Sequence, residues 1–123
     1  MSEHSEVRFS NHTPHALNIE LRAGDIFILP PSGTVARVAM ETRKRGGLAL
    51  PGFGVVNLTT TVPGEVTGLP PPVVRGGEEG VWYIVSALVR LAVPERRDVL
   101  SPGDLIRDEN GNPRGCRGLV MNP

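Results

Sequence analysis

Glycine and proline interrupt this sequence so often that long, regular helices have little room. The chain has 15 glycines and 12 prolines among 123 residues, spread along its length without a period. Glycine adopts the positive φ that tight turns need, and proline fixes φ and removes a backbone donor. Frequent glycine and proline residues therefore favour many short strands joined by turns. Aromatic residues are only 4% of the chain, so Val, Leu, Ile and Ala must build the core, and Val and Ile favour sheets.

The apolar pattern predicts an α+β fold, a mainly antiparallel sheet of short strands with one buried helix. Apolar and polar residues alternate over Leu17–Leu21, and Ile26–Leu29 is continuously apolar, as expected of strands. Ser86 is a natural N-cap and Pro94 a natural stop, so we predict a helix over 86–93 that is buried because almost every side is apolar. A continued strand is the alternative for that segment.

The C-terminal region carries the strongest hairpin signal in the chain. Asn110-Gly111 lies between Asp104–Asp108 and Arg114–Met121, and this dipeptide is typical of the tight turns that join the two strands of a β-hairpin. The chain length suits one domain over 1–123, with residues 1–6 disordered. The segment 41–47 is expected to be a flexible charged loop and 48–54 irregular, before a strand over 55–62.

The charge balance excludes several classes of partner. Thirteen basic and thirteen acidic residues give no net charge, so extended DNA or RNA is not an expected partner. The single cysteine, Cys116, rules out a disulfide framework within the chain. No apolar segment is long enough for a membrane span and no signal sequence is recognisable, so we expect no membrane and a cytoplasmic location.

The motifs that could support catalysis or metal binding are incomplete. His12 and His15 have a ligand-like spacing, but Pro14 and the turn character between them argue against a helix there. Ser86 lacks the flanking glycines of a nucleophile elbow. Neither 52–54 nor 76–80 follows a strand and opens a helix, as phosphate loops do. We therefore expect a non-enzymatic protein with no catalytic residue, metal or cofactor.

Arginines and aspartates in the second half of the chain form the candidate ligand site. An Asp beside an Arg can hold the guanidinium in place, as recognition of a planar anion requires. The alternative is that these pairs only tie the end of the helix to the hairpin. The predicted ligand-binding residues, including two aromatics for a base and a further arginine from the first half, are Arg96, Arg97, Asp98, Arg107, Asp108, Arg37, Arg90, Trp82 and Tyr83.

Several short motifs, in order along the chain, carry a family resemblance. They include Asn-His-Thr-Pro-His at 11–15, Pro-Ser-Gly at 31–33 with Ala-Arg-Val at 36–38, Ile-Val-Ser at 84–86, Arg-Asp-Val at 97–99, and Arg-Asp at 107–108 with Gly-Cys at 115–116. With these motifs the chain resembles a family of short, mostly uncharacterised proteins of bacteriophages and actinobacterial genomes, over residues 7–120. That resemblance implies no particular activity.

A phage setting suggests a looser analogy with small oligomeric proteins that sequester nucleotide immune signals. The hypothesis is therefore a homo-oligomeric binding protein for a small anionic nucleotide, of the cyclic dinucleotide or cyclic ADP-ribose type, acting in the host cytoplasm if phage-encoded. One alternative is a protein-interaction module that binds a host protein through its proline-rich loop. A small nucleotide-hydrolysing enzyme is the third.

Overall fold

Strands predominate in the computed structural model, which describes residues 8–72 and 80–123. The expected disorder of 1–6 and most of the glycine-rich segment 76–80 lie outside the described residues. In chain order, the elements are β1 (Arg8–Asn11), β2 (Leu17–Glu20), β3 (Ile26–Leu29), β4 (Arg37–Leu50), β5 (Gly54–Thr67), β6 (Val81–Ile84), α1 (Ala87–Ala92), β7 (Val99–Arg107) and β8 (Pro113–Met121).

Six of the strands form one mixed sheet in the order β1-β6-β7-β8-β2-β3. The pairs β1–β6, β6–β7 and β2–β8 are parallel, whereas β7–β8 and β2–β3 are antiparallel. The expectation of a mainly antiparallel sheet is therefore wrong for this part of the chain. Parallel neighbours need a long crossover, and the segment between β6 and β7, which includes α1, provides one.

The two outer strands of this sheet approach each other, so that the sheet is barrel-like. Asn11, at the end of β1, forms a parallel bridge with Pro31, just beyond β3. The backbone N–H of Ser32 donates to the Asn11 carbonyl at 2.8 Å. The Asn11 side chain donates to the Leu29 carbonyl at 3.1 Å. These contacts join β1 to the end of β3 at one point rather than along a full ladder.

Two apolar clusters lie on opposite faces of the sheet, because alternate side chains of a strand point to opposite sides. Ile84 packs with Leu29 and Leu100, and Trp82 lies beside this cluster. The next residues in register, Tyr83 and Val85, belong to the second cluster. Strand β6 is therefore covered on both faces, which explains its uninterrupted apolar sequence.

The predicted helix forms with the expected start but is not buried as expected. The Ser86 hydroxyl accepts from the backbone N–H of Val89 at 3.3 Å, so Ser86 is the N-cap. Val89 alone of the helix is buried, whereas Leu88 and Leu91 are 58% and 61% exposed. A six-residue helix presents only one narrow face to the sheet, so its other apolar side chains reach solvent. In the described part of the chain, no helix has the length and apolarity needed to cross a membrane.

Strands β4 and β5 form a separate two-stranded antiparallel sheet, here called the arm. Each strand has 14 residues, so the expected flexible loop at 41–47 and irregular segment at 48–54 are instead strand and hairpin tip. A register shift between Lys44 and Gly47 accommodates an extra residue, and Gly46 there has a φ of +92°. Bulges of this kind disguise a strand because they break its alternation.

The C-terminal hairpin is confirmed, with β7 and β8 antiparallel and the Asn110-Gly111 turn between them. Gly111 has a φ of +82°, a conformation that glycine adopts without strain. The Asp108 carboxylate accepts from the backbone N–H groups of Asn110 and Asn112, both at 2.9 Å. Asp108 is therefore the cap of this turn.

Replacing Asn11 with Asp tests how strongly the contact between β1 and the end of β3 contributes to stability. Asp keeps the size and the acceptor oxygens but loses the N–H donors, and it places a carboxylate against the carbonyls of His15 and Leu29. We expect the free energy of unfolding to fall by about 3 kcal/mol in urea denaturation, since a buried side chain loses two hydrogen bonds. Asn110→Asp, on an exposed turn residue, is the matched control. A loss no larger than that of the control would show that closure does not depend on Asn11.

Candidate functional site

The Asn-His-Thr-Pro-His motif forms a buried polar network at the closure of the sheet. The Asn11 Oδ1 accepts from the backbone N–H of Thr13 at 2.9 Å and from its hydroxyl at 2.6 Å. The Asn11 Nδ2 donates to the His15 carbonyl at 2.9 Å, in addition to Leu29. Asn11 is 1% exposed. The motif therefore forms a turn and also holds buried parts of the fold together.

His12 joins this network to the segment before the arm. The Thr34 carbonyl lies 2.8 Å from Nδ1 and can only accept, so Nδ1 carries the proton. The Ser10 hydroxyl forms a hydrogen bond with Nε2 at 2.9 Å. A serine bonded to an oriented histidine is the order of groups found in nucleophilic sites. Here, however, His12 is 5% exposed and packs 5.6 Å from the Tyr83 ring, as a structural side chain would.

Arg96, Asp98 and Tyr83 of the predicted ligand site lie together. Arg96 holds the Asp98 carboxylate with two hydrogen bonds, 2.9 Å from Nε to Oδ1 and 3.0 Å from Nη2 to Oδ2. Its Nη2 also donates to the Pro70 carbonyl at 3.0 Å, and its guanidinium carbon lies 6.0 Å from the Tyr83 ring centroid. Asp98 neutralises the guanidinium, and the two side chains are only 13% and 6% exposed.

Arg90 is also engaged by neighbours within the fold. Its Nε donates to the Ser101 hydroxyl at 2.8 Å and its Nη1 to the Asn122 amide oxygen at 3.0 Å. Asn122 in turn donates to the carbonyls of Val93 and Arg96, both at 3.0 Å. Asn122 thereby ties the segment after β8 to the end of α1 and to the loop at Arg96.

The remaining members of the predicted site are spread over the molecule. Arg107 donates to the Gly111 carbonyl at 2.8 Å within the hairpin turn. Asp98 and Arg107 lie at opposite ends of β7, about 30 Å apart along the strand at ~3.3 Å per residue. Arg97 is exposed and donates to the C-terminal oxygen of Pro123 at 2.9 Å.

Two further predicted residues do not join the Arg96 group. Trp82 packs on the opposite face of β6 from Tyr83, so the two rings cannot form one stacking surface for a base. Arg37 is exposed at the start of the arm. The structure therefore brings together Tyr83, Arg96 and Asp98, and separates them from Trp82 and from the Arg107–Asp108 turn.

A cavity of about 340 Å³ opens elsewhere, between the start of β2 and the β7–β8 hairpin. Its lining residues are His15, Ala16, Leu17, Asn18, Pro102, Leu105, Pro113, Arg114, Gly115 and Cys116. Cys116 is 2% exposed, and burial raises the pKa of its thiol, an effect partly opposed by a backbone hydrogen bond from Gly103. The thiol is therefore neutral at physiological pH and a poor nucleophile.

The comparisons with known proteins identify no relative. No family model, curated protein or solved structure matches the chain. The resemblance to phage and actinobacterial proteins accordingly stays a prediction. Within residues 8–72 and 80–123, no group of three or more His, Cys, Asp or Glu side chains is arranged to hold a metal ion.

Sequence reasoning missed the cavity because its walls come from distant segments. Asn18 donates its amide N–H to the Arg114 carbonyl at 3.0 Å across 96 positions of the chain. That contact depends on parallel pairing of β2 with β8, in which Ile19 lies opposite Cys116. The sequence signal nearest to it is Gly115, since a Cβ there would lie 2.5 Å from the Asn18 carbonyl oxygen.

Arg96→Ala and its control Arg97→Ala test whether Arg96 has a structural role that the exposed Arg97 lacks. Removing Arg96 leaves the buried Asp98 carboxylate without its partner, so we expect the free energy of unfolding to fall by about 3 kcal/mol. Removing the exposed Arg97 should change it by less than about 0.5 kcal/mol. Urea denaturation followed by tryptophan fluorescence measures both. Equal losses for the two variants would contradict a structural role for Arg96.

Proposed function

We propose that this chain is a non-enzymatic binding protein that assembles with copies of itself through the arm. The observation that carries the proposal is the apolar surface that the arm leaves exposed. Its large exposed hydrophobic residues are Met40, Leu48, Leu50, Phe53, Val55, Val56 and Leu58, and Phe53 at the tip is 92% exposed.

Most of this apolar surface lies on one face of the arm. Leu48 pairs directly with Val56, and directly paired residues of antiparallel strands share a face. Leu50 and Leu58 follow at two-residue spacing and lie on that face too. At the base of the arm, the paired Val38 and Val66 pack against the apolar cluster around Tyr83 and Val85.

The opposite face of the arm is more polar, although Val55 and Met40 also lie on it. The paired Lys44 and Thr59 lie there, with Asn57 and Thr61 at two-residue spacing on β5. A sheet that is more apolar on one face normally packs that face against another layer. Two strands alone are marginally stable in water, so burial of the Leu48–Val56 face would stabilise the whole arm.

Charge and shape favour a second copy as the occupant of this face. Residues 37–67 carry four basic and two acidic side chains, whereas the rest of the chain carries nine basic and eleven acidic. The arm is thus positive, whereas the body (the described residues outside 37–67) carries eight basic and seven acidic side chains and is nearly neutral. Contact between an arm and a body therefore meets less charge repulsion than contact between two arms. The body also offers an apolar edge strand, β3, in which Ile26 and Ile28 are 51% and 63% exposed.

Substitutions on the two faces of the arm test this assembly. We expect wild-type protein to sediment as an oligomer in the micromolar range, and Leu48→Ser with Val56→Ser to give folded monomer, because the contact loses its apolar centre. Asn57→Ser with Thr59→Ser, on the opposite face, is the control and should leave the oligomer intact. Monomeric wild type would contradict the proposal. An oligomer unaffected by the Leu48 and Val56 changes would also do so, and a monomer that instead captures one host protein would support the interaction-module alternative.

A second candidate function is the sequestration of a small anionic nucleotide-type ligand in the cytoplasm. The observation that favours it is the cavity between β2 and the β7–β8 hairpin, whose lining includes Arg114 and His15 but no Asp or Glu. The arginines around Asp98 support it less, because Arg90 and Arg96 already bind groups of the fold. A non-enzymatic protein of this kind would release its ligand chemically unchanged on denaturation, whereas a hydrolase would release products.

A further inference from the structure

The cavity between β2 and the β7–β8 hairpin has a floor that the backbone holds in place. Asn18 on β2 donates to the Arg114 carbonyl on β8, and Gly115 lies so close to β2 that any Cβ would overlap the Asn18 carbonyl oxygen. Gly103 on β7 lies equally close to the Arg117 carbonyl oxygen of β8, at 2.5 Å from a Cβ. Strands β2 and β8 therefore meet at the cavity without an intervening side chain, and β7 approaches β8 as closely at Gly103.

The walls of the cavity are mainly apolar. Ala16, Leu17, Pro102, Leu105 and Pro113 line it, and proline rings are rigid, so these walls lose little entropy when a ligand binds. A volume of about 340 Å³ lies at the lower end of the range for small-molecule sites, about 300–1,000 Å³. The apolar walls suit a flat or aliphatic body of modest size.

Among the lining residues of the cavity, Arg114 is the one with a permanent charge. Arg114 is exposed and has no hydrogen-bond or ion-pair partner for its guanidinium among the described residues. The His15 ring is also exposed, and the raised pKa of Cys116 keeps its thiol uncharged. The carboxylate of Glu20 is held 3.6 Å from Arg117 rather than by Arg114. Arg114 thus differs from Arg90 and Arg96 in having its fork of donors available to an anion.

We infer that this cavity binds a small organic phosphate, with the phosphate on Arg114 and an apolar or flat ring against the proline and leucine walls. The inference rests on the second proposed function, sequestration of an anionic nucleotide, and gives that function a site different from the Arg96–Asp98 group. It does not depend on assembly through the arm. His15 also lines the cavity and offers a second hydrogen-bonding side chain.

Calorimetric titration with AMP, cyclic di-AMP, cyclic ADP-ribose, inorganic phosphate and adenosine tests the inference. A phosphate-bearing probe with a ring should bind, and adenosine should bind roughly tenfold or more weakly because it lacks the charged group that Arg114 holds. Arg114→Ala should weaken binding by roughly tenfold or more, and Arg114→Lys by less, since it keeps the charge but loses the fork. Arg22→Ala, an equal loss of charge at another exposed arginine, should leave binding unchanged.

The position of binding separates the outcomes. Amide chemical-shift changes centred on Ala16, Leu105 and Cys116 would support the cavity. A probe that binds with shifts centred on Arg96 and Asp98, and with no effect of Arg114→Ala, would overturn the cavity while keeping sequestration. If no phosphate probe binds to folded wild-type protein at millimolar concentration, both the cavity site and nucleotide sequestration are overturned.

Discussion

The Asn11 side chain is the contact on which the rest of the architecture depends. Its amide uses both its donors and its acceptor within the fold, and it joins the end of β1 to the end of β3. Together with the backbone bridge between Asn11 and Pro31, these contacts bring the two outer strands together at one point. His12, the next residue, extends the same network to the Thr34 carbonyl. This contact positions the segment that leads into β4 of the arm.

Closure of the sheet also explains how a chain with few aromatic residues stabilises itself. Strand β6 is apolar on both faces, with Ile84 in one cluster and Tyr83 in the other, so a single short strand contributes to both. The buried polar side chains form hydrogen bonds within the fold. Among the described residues, no buried side-chain nitrogen or oxygen lacks a hydrogen-bond partner. Arg90 on α1 and Arg96 shortly after it belong to this set of paired polar groups.

Local features were predictable from the sequence, and distant pairings were not. Ser86 and Asn110-Gly111 act through neighbours three or four residues away, so the helix start and the C-terminal hairpin were predicted correctly. The Arg96–Asp98 pair is also local, but its contacts with Pro70 and Tyr83 depend on tertiary structure. Parallel pairing of β2 with β8 joins segments about 100 positions apart. No periodicity in either segment encodes that choice, so the mixed sheet and the cavity above it could not be predicted.

The arm exposes apolar side chains to solvent, because nothing within one chain covers the face that carries Leu48 and Val56. The central claim is that a second copy covers this face. Amide hydrogen exchange across a series of protein concentrations tests it most directly. The account predicts that protection of β4 and β5 rises with concentration, while protection of β6 stays constant because it depends on the fold of one chain. Exchange in the arm that is independent of concentration, at the rate of an unprotected hairpin, would contradict the claim.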